Sequence, residues 1–196
     1  ISDACAAGLA ARGLARGDRV GLYCLNSDVF AEAYFGIIKA GGTVVPINLL
    51  LNPKEVAYIL QDSGARGLIY HEAFSENAAH AAAGLEPALR VCVGARKAFG
   101  TDAAWPDLVR AGAAPPRVER DPAEDLAAII YTSGTTGFPK GAMLTHRNLC
   151  SNVASVLEAL RMEPGRDRVL AVLPMFHAFA ATACMLSPLI GGAAVV

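Results

Sequence analysis

The sequence predicts an α/β protein: a mostly parallel sheet flanked by helices. Strand-like apolar runs alternate with segments of helical period over the first half of the chain. A strong apolar strand, Leu126 to Ile130, is followed by a loop of glycines and hydroxyl residues and then by a second strand. Finally, the uncharged stretch from Val169 to Val196 is divided by Pro174, His177, Pro188 and Gly191-Gly192 into strand, turn, helix and strand lengths. Buried α/β elements read as such apolar runs, so no membrane span is expected there.

The elements follow in order. The alanine-rich opening "ISDACAAGLAARGLARGD" reads as a helix and lacks the apolar core of a signal peptide. "RVGLYCL" (Arg19 to Leu25) reads as a strand. Ser27 then caps a helix whose apolar face is Phe30, Ala33, Tyr34, Ile37 and Ile38, ended by Gly41-Gly42. "TVVPI" is a short strand. Asn52, Pro53 and Glu55 supply a cap, a first-turn proline and an acid at the third position of the next helix, which Ser63-Gly64 stops. "GLIY" and "LRVCV" are strand-like. From Gly94 to Asp125 the pattern dissolves into what reads as a surface connection and an internal boundary. Beyond it, Leu126 to Tyr131 and Ala142 to Thr145 should be neighbouring strands. Thr145 caps a helix with apolar positions Leu149, Val153, Val156, Leu157 and Leu160.

Composition narrows the function. With 54% hydrophobic and 18% charged residues, the chain is not disordered. A net charge of -1 gives no general attraction to nucleic acid or acidic lipid, so an anionic ligand must be held by local groups. Five cysteines, with no CxxC spacing, read as reduced, buried thiols of a cytoplasmic protein rather than a disulfide framework or a zinc site.

The chemistry concentrates in "YTSGTTGFPKGAML" (Tyr131 to Leu144). Gly134, Gly137 and Gly141 would let backbone N–H groups crowd around an anion. Thr132, Ser133, Thr135 and Thr136 add donors, and Lys140 can reach the outer oxygens of a polyphosphate. This is not a Walker A motif, because Pro139 precedes the lysine, Gly141 follows it, and a strand rather than a helix comes next. Residue types alone leave two readings open: a phosphate cradle, or a solvated, turn-rich hairpin.

The stretch "YTSGTTGFPKGAMLTHRNL" (Tyr131 to Leu149) resembles the phosphate-binding signature of the adenylate-forming superfamily, which includes acyl-CoA synthetases, aryl-CoA ligases, luciferases and peptide-synthetase adenylation domains. "AYFGIIKAGGTVVPINLLLNPKEVAYILQDSGAR" (Ala33 to Arg66) is similar to its upstream structural block, and "LPMFHAFA" (Leu173 to Ala180) to its aromatic-histidine block. The resemblance runs the length of the chain in the family's order. It implies a two-step ligase that uses ATP and Mg2+, activates a carboxylic acid as an acyl-adenylate and passes it to coenzyme A. By similarity, Thr132, Ser133, Gly134, Thr135, Thr136, Gly137 and Lys140 would hold the β- and γ-phosphates, with Thr132 also meeting the metal. Phe176, His177 and Phe179 would line the route where acyl group and thiol meet, His177 acting by positioning the substrate.

A lone histidine beside aromatic residues is otherwise a core or boundary residue, and no partner in the sequence fixes an acid-base role for His177. His146 reads as a helix-start residue, and His71 and His80 as surface. Many relatives have glycine where Ala180 stands; "FHAFAATACMLSPLIGG" is most similar to the fatty acyl branch, with aryl ligases and adenylation domains as alternatives. The family's later blocks, for adenine, ribose and metal, are not in the sequence. The resemblance therefore implies an N-terminal piece, with residues 1–148 as a first α/β subdomain containing the phosphate loop 131–141 and residues 149–196 opening a second. On that reading the piece alone is inactive. Two other classes are weighed: a nucleotide-binding module without catalysis, and a P-loop hydrolase, which the strand after the loop contradicts.

Overall fold

A computed structural model describes residues 1–110, 114–132 and 139–196. One sheet is formed by β1 (Arg19–Tyr23), β2 (Thr43–Pro46), β3 (Ala65–His71), β4 (Arg90–Val93), β5 (Ala103–Ala104), β6 (Leu126–Thr132) and β7 (Lys140–Thr145). Its order is β5-β4-β3-β1-β2-β6-β7, and every pairing is parallel except β6 with β7. A connection as short as residues 133–139 can join only antiparallel neighbours.

Side chains alternate between two cores, as the two-residue period of a strand requires. Val20, Leu22, Val44, Ile69, Val91, Ala128 and Ile130 face one side, together with α1 (Ser2–Ala11) and α2 (Asp28–Lys39). Tyr23, Val45, Leu68, Tyr70, Cys92 and Ile129 face the other, together with α3 (Pro53–Asp62) and α4 (Ser75–Ala81). On α2 the predicted face buries Phe30, Ala33, Tyr34 and Ile37 fully and Ile38 in part. Gly36 lets α1 press against this helix, since a Cβ there would sit 2.4 Å from the Cys5 sulfur.

The caps form as read. Ser27 accepts from the Phe30 N–H, Asn52 and Glu55 make a reciprocal capping box, and Thr145 makes one with Asn148 at the start of α6 (His146–Leu160). His146 is the first residue of that helix, His80 is exposed and His71 is half-buried.

Some expectations are corrected. The stretch after Gly94 is not wholly a surface connection: β5 extends the sheet, and α5 (Trp105–Leu108) buries Trp105 and Leu108. These elements are too short for periodicity to reveal. Nor does the sheet stop at this stretch, because β6 pairs with β2. The thiols are free, and Cys5, Cys24 and Cys92 are buried, but Cys150 is exposed and Cys184 half-buried. Cys150 lies on α6, where Val153 is buried but Leu160 is exposed, so only part of the predicted apolar face is covered.

After α6 a second sheet pairs β8 (Arg168–Val169) with β9 (Ala194–Val195) in parallel. Between them run α7 (Ala178–Ala180), a π-helical turn (Ala181–Leu186) and α8 (Ser187–Ile190). This is the strand, turn, helix and strand division expected of the uncharged stretch. Among the described residues no helix is long and apolar enough to cross a membrane.

Candidate functional site

β6 carries four buried residues and then surfaces, leaving Tyr131 half-buried and Thr132 exposed at its carboxyl end. Its register with β7 runs from Leu126 opposite Thr145 to Thr132 opposite Lys140. Lys140 therefore stands across the strand pair from Thr132, exposed, and among the described residues no carboxylate pairs with it. Ser133, Gly134, Thr135, Thr136 and Gly137 lie outside the described residues.

The base of this strand pair is tightly built. The Tyr131 hydroxyl donates to Asp62 of α3 at 2.6 Å, and burial, followed by this carboxylate, raises the phenol's pKa well above its ordinary value. Gly141 packs against the same ring: a Cβ there would lie 2.7 Å from Ile129 Cγ2 and 3.0 Å from the Tyr131 ring. A side chain at 141 would push Tyr131 and Ile129 aside, which is a local reason for glycine at this position.

The aromatic-histidine block approaches from the second sheet. The His177 N–H donates to the Pro174 carbonyl at 3.0 Å, forming a turn that leads into α7. Phe176 is buried, whereas His177 is exposed beside it, with ring centroids 6.0 Å apart. Among the described residues nothing hydrogen-bonds the imidazole, so no partner fixes an acid-base role. A cleft of about 350 Å³ brings the two blocks together: Tyr131, Thr132 and Pro139 on one wall, Phe176, His177 and Ala178 on another, and Pro46, Asn48 and Glu55 closing it. It opens at the carboxyl ends of β2 and β6, the side of an open α/β sheet where ligands bind.

Phe179 is not part of that cleft. It is 67% exposed and lines an adjoining, mostly apolar cavity of about 590 Å³ between α6 and the π-helical turn, with Leu144, Leu149, Val156 and Thr182. Ile130 and Ala178 border both spaces. The arrangement thus offers a hydroxyl-lined mouth, an exposed imidazole and an apolar neighbour. Among the described residues no group of three or more His, Cys, Asp or Glu side chains could hold a metal ion.

Two residues of the site region escaped the sequence reading. Asp62, in the last turn of α3, holds the Tyr131 hydroxyl, and the Asn26 side chain reaches residues 171–175. Only long-range packing gives either of them a partner.

A mostly parallel sheet that ends in the antiparallel β6–β7 pair, with the aromatic-histidine turn sharing a cleft with Thr132 and Pro139 at the carboxyl ends of its strands, defines an α/β protein of the open-sheet class. The chain belongs to the AMP-binding enzyme family, whose model matches residues 1–196. It is 37% identical to the long-chain-fatty-acid–CoA ligase FadD13 of Mycobacterium tuberculosis over 97% of this chain and 37% of that protein. It is also 37% identical to a feruloyl-CoA synthase of Amycolatopsis sp., over 96% of this chain and 35% of that protein. The crystal structure of ATP-bound MatB from Rhodopseudomonas palustris superposes with a TM-score of 0.81 at 29% identity, covering 99% of this chain and 37% of that one. The chain therefore spans little more than a third of the length of these relatives.

Proposed function

We propose that this chain forms the phosphate-binding part of an ATP-dependent acid–thiol ligase. In the complete polypeptide a carboxylate oxygen attacks the α-phosphorus of ATP, an acyl-adenylate forms, and the bond to pyrophosphate breaks. A thiol, that of coenzyme A, then attacks the acyl carbon and AMP leaves with the bonding electron pair. The observation that carries the reading is the cleft in which Thr132 and Pro139 face Phe176 and His177. It joins a polyphosphate-binding end to an apolar, aromatic end, and the reaction needs both.

In this reading Thr132, Ser133, Gly134, Thr135, Thr136, Gly137 and Lys140 hold the β- and γ-phosphates. Donors aimed at developing charge are the main lever for such displacements. A bound Mg2+ would neutralise phosphate charge, and the single neutral oxygen of Thr132 suits a cation that takes most of its ligands from phosphate and water. Phe176 and His177 line the meeting point of acyl group and thiol, with Phe179 on the adjoining apolar space. His177 orients rather than transfers protons. Residues 1–148 are the first subdomain, residues 149–196 begin the second, and the protein works in the cytoplasm.

The acid is a fatty acid in the first instance, since the aromatic-histidine block is most similar to that branch. An aryl acid is the second reading, favoured by the equal identity to the feruloyl-CoA synthase. Acid-dependent pyrophosphate exchange by the complete polypeptide, across fatty and aryl acids, tests both. Binding of ATP analogues without exchange would leave only a nucleotide-binding module. The 196-residue chain by itself should show no exchange, because it lacks the family's later blocks and misplacement by about one ångström can cost about a hundredfold in rate.

A further inference from the structure

The segment that delivers Phe176 and His177 has little regular structure of its own. Past β8 the Ala171 N–H donates to the Val196 carbonyl at 2.8 Å, but among the described residues no further backbone bond holds the segment until the turn at His177, and Pro174 has no N–H to offer one. Asn26 fills this gap. It stands just beyond the carboxyl end of β1, ahead of the Ser27 cap, and its side-chain N–H groups donate to the carbonyls of Ala171 at 3.0 Å and Leu173 at 2.8 Å. Its Oδ1 accepts from the Met175 N–H at 2.8 Å.

Residues 171, 173 and 175 lie on a segment without regular structure that bends at Leu173 and enters the turn at Met175. One amide ties all three together, with both donors and the acceptor engaged. Turning the amide over would set N–H against N–H and oxygen against two carbonyls, so only one orientation satisfies all three groups. The clip fixes the residues immediately before the Pro174–His177 turn. That turn in turn buries Phe176 and leaves His177 exposed, both on the wall of the cleft.

We propose that Asn26 is a positioning residue: it clips residues 171–175 to the end of β1 and thereby holds His177 over the mouth formed by Thr132. Its effect on turnover rests on the ligase reading above; the clip itself does not. Asn26→Asp is the sharpest probe, since it keeps the shape and the acceptor while placing a carboxylate against two carbonyl oxygens. Asn26→Ala, which removes all three bonds without adding charge, is the companion for exchange, and for kinetics if the aspartate variant does not fold.

Amide hydrogen exchange on the full 196-residue chain tests the clip. The Met175 and His177 amides should exchange about tenfold faster in Asn26→Ala, which removes the oxygen acceptor that Asn26→Asp keeps, with the Ile129 amide in β6 unchanged. In the complete polypeptide, kcat/KM for the acid should fall about ten- to a hundredfold, as expected of a misplaced reacting geometry, with KM for ATP nearly unaltered. Unchanged exchange at Met175 overturns the clip, and loosened exchange with unaltered kinetics overturns the positioning role. A wild-type protein with no turnover on any acid would instead refute the ligase reading, leaving exchange to judge the clip.

Discussion

The two ends of the large sheet solve opposite problems. At the β4–β5 end, polar groups are buried and saturated. Asp102, 2% exposed, accepts from Arg90 Nε at 2.8 Å, from the Tyr70 hydroxyl at 2.6 Å and from the Phe99 N–H at 3.1 Å. The Arg90 guanidinium also lies 4.1 Å from the centroid of the Phe99 ring. At the β6–β7 end, Thr132 and Lys140 are exposed and the lysine has no acidic partner among the described residues. Groups that satisfy one another hold a fold together but have nothing left for a ligand; groups left open do the reverse. The chain separates the two roles by most of the width of one sheet.

Breaking the saturated end should give the largest effect. Asp102→Ala leaves the buried Arg90 charge without its carboxylate, a change that costs about 3–5 kcal/mol. Denaturant unfolding should show that loss, while on the ligase reading any of the complete polypeptide that folds should keep its dependence on ATP. A small loss of stability would mean that water or a neighbouring group replaces the carboxylate, and the contrast between the two ends would weaken.

At the open end the order reverses. Lys140→Ala should change stability by no more than about 0.5 kcal/mol, as expected of an exposed residue. On the ligase reading, kcat/KM for ATP in the complete polypeptide should fall ten- to a hundredfold, about 1.4–2.7 kcal/mol of transition-state stabilisation. Steady-state kinetics at varied ATP decides, and an unaltered ATP dependence would remove Lys140 from the site. Tyr131→Phe lies between the two ends in kind. It deletes the 2.6 Å bond to Asp62 while keeping the ring against Gly141, and should lower stability by about 1 kcal/mol.

What could be read in advance follows the range of the interaction. The caps at Ser27, Asn52 and Thr145 were legible because each partner lies within three residues. Strand β6 was legible because burial forces an apolar run, whereas β7, with no buried residue, was legible only from the short run 142–144. Helix α4 was not, since "SENAAHA" has no apolar period and only Ser75 and Ala78 are buried. The Arg90–Asp102 pair was hidden because β5 and α5, which carry its surroundings, are shorter than any period. Both site blocks were visible as motifs. Their meeting in one cleft depends on β6 lying beside β2, a strand order that no local pattern specifies.

The smallest expected effect lies where the chain enters β6, and it separates two kinds of acid sensitivity. Arg16 grips both Asp125 oxygens at 2.9 Å, and the His146 N–H donates to the Asp125 carbonyl at 3.2 Å. Burial, then the Arg120 charge, lowers the His146 pKa from its ordinary 6.5, with Asp125 opposing in part. The folded state thus binds the imidazole proton less readily than the unfolded chain does. Its contribution to stability is complete above about pH 6.5 and is lost as pH falls through that value toward the lower folded-state pKa. Asp125, whose carboxyl is held down chiefly by the Arg16 hydrogen bond, works in a more acidic window: its contribution is complete above 3.8 and is lost as pH falls below that. His146→Gln should therefore flatten the stability profile between about pH 7 and pH 5.5 relative to wild type while leaving the steeper loss below pH 4. Parallel profiles for the two proteins across the upper window would show that His146 titrates as freely in the folded chain as in the unfolded one.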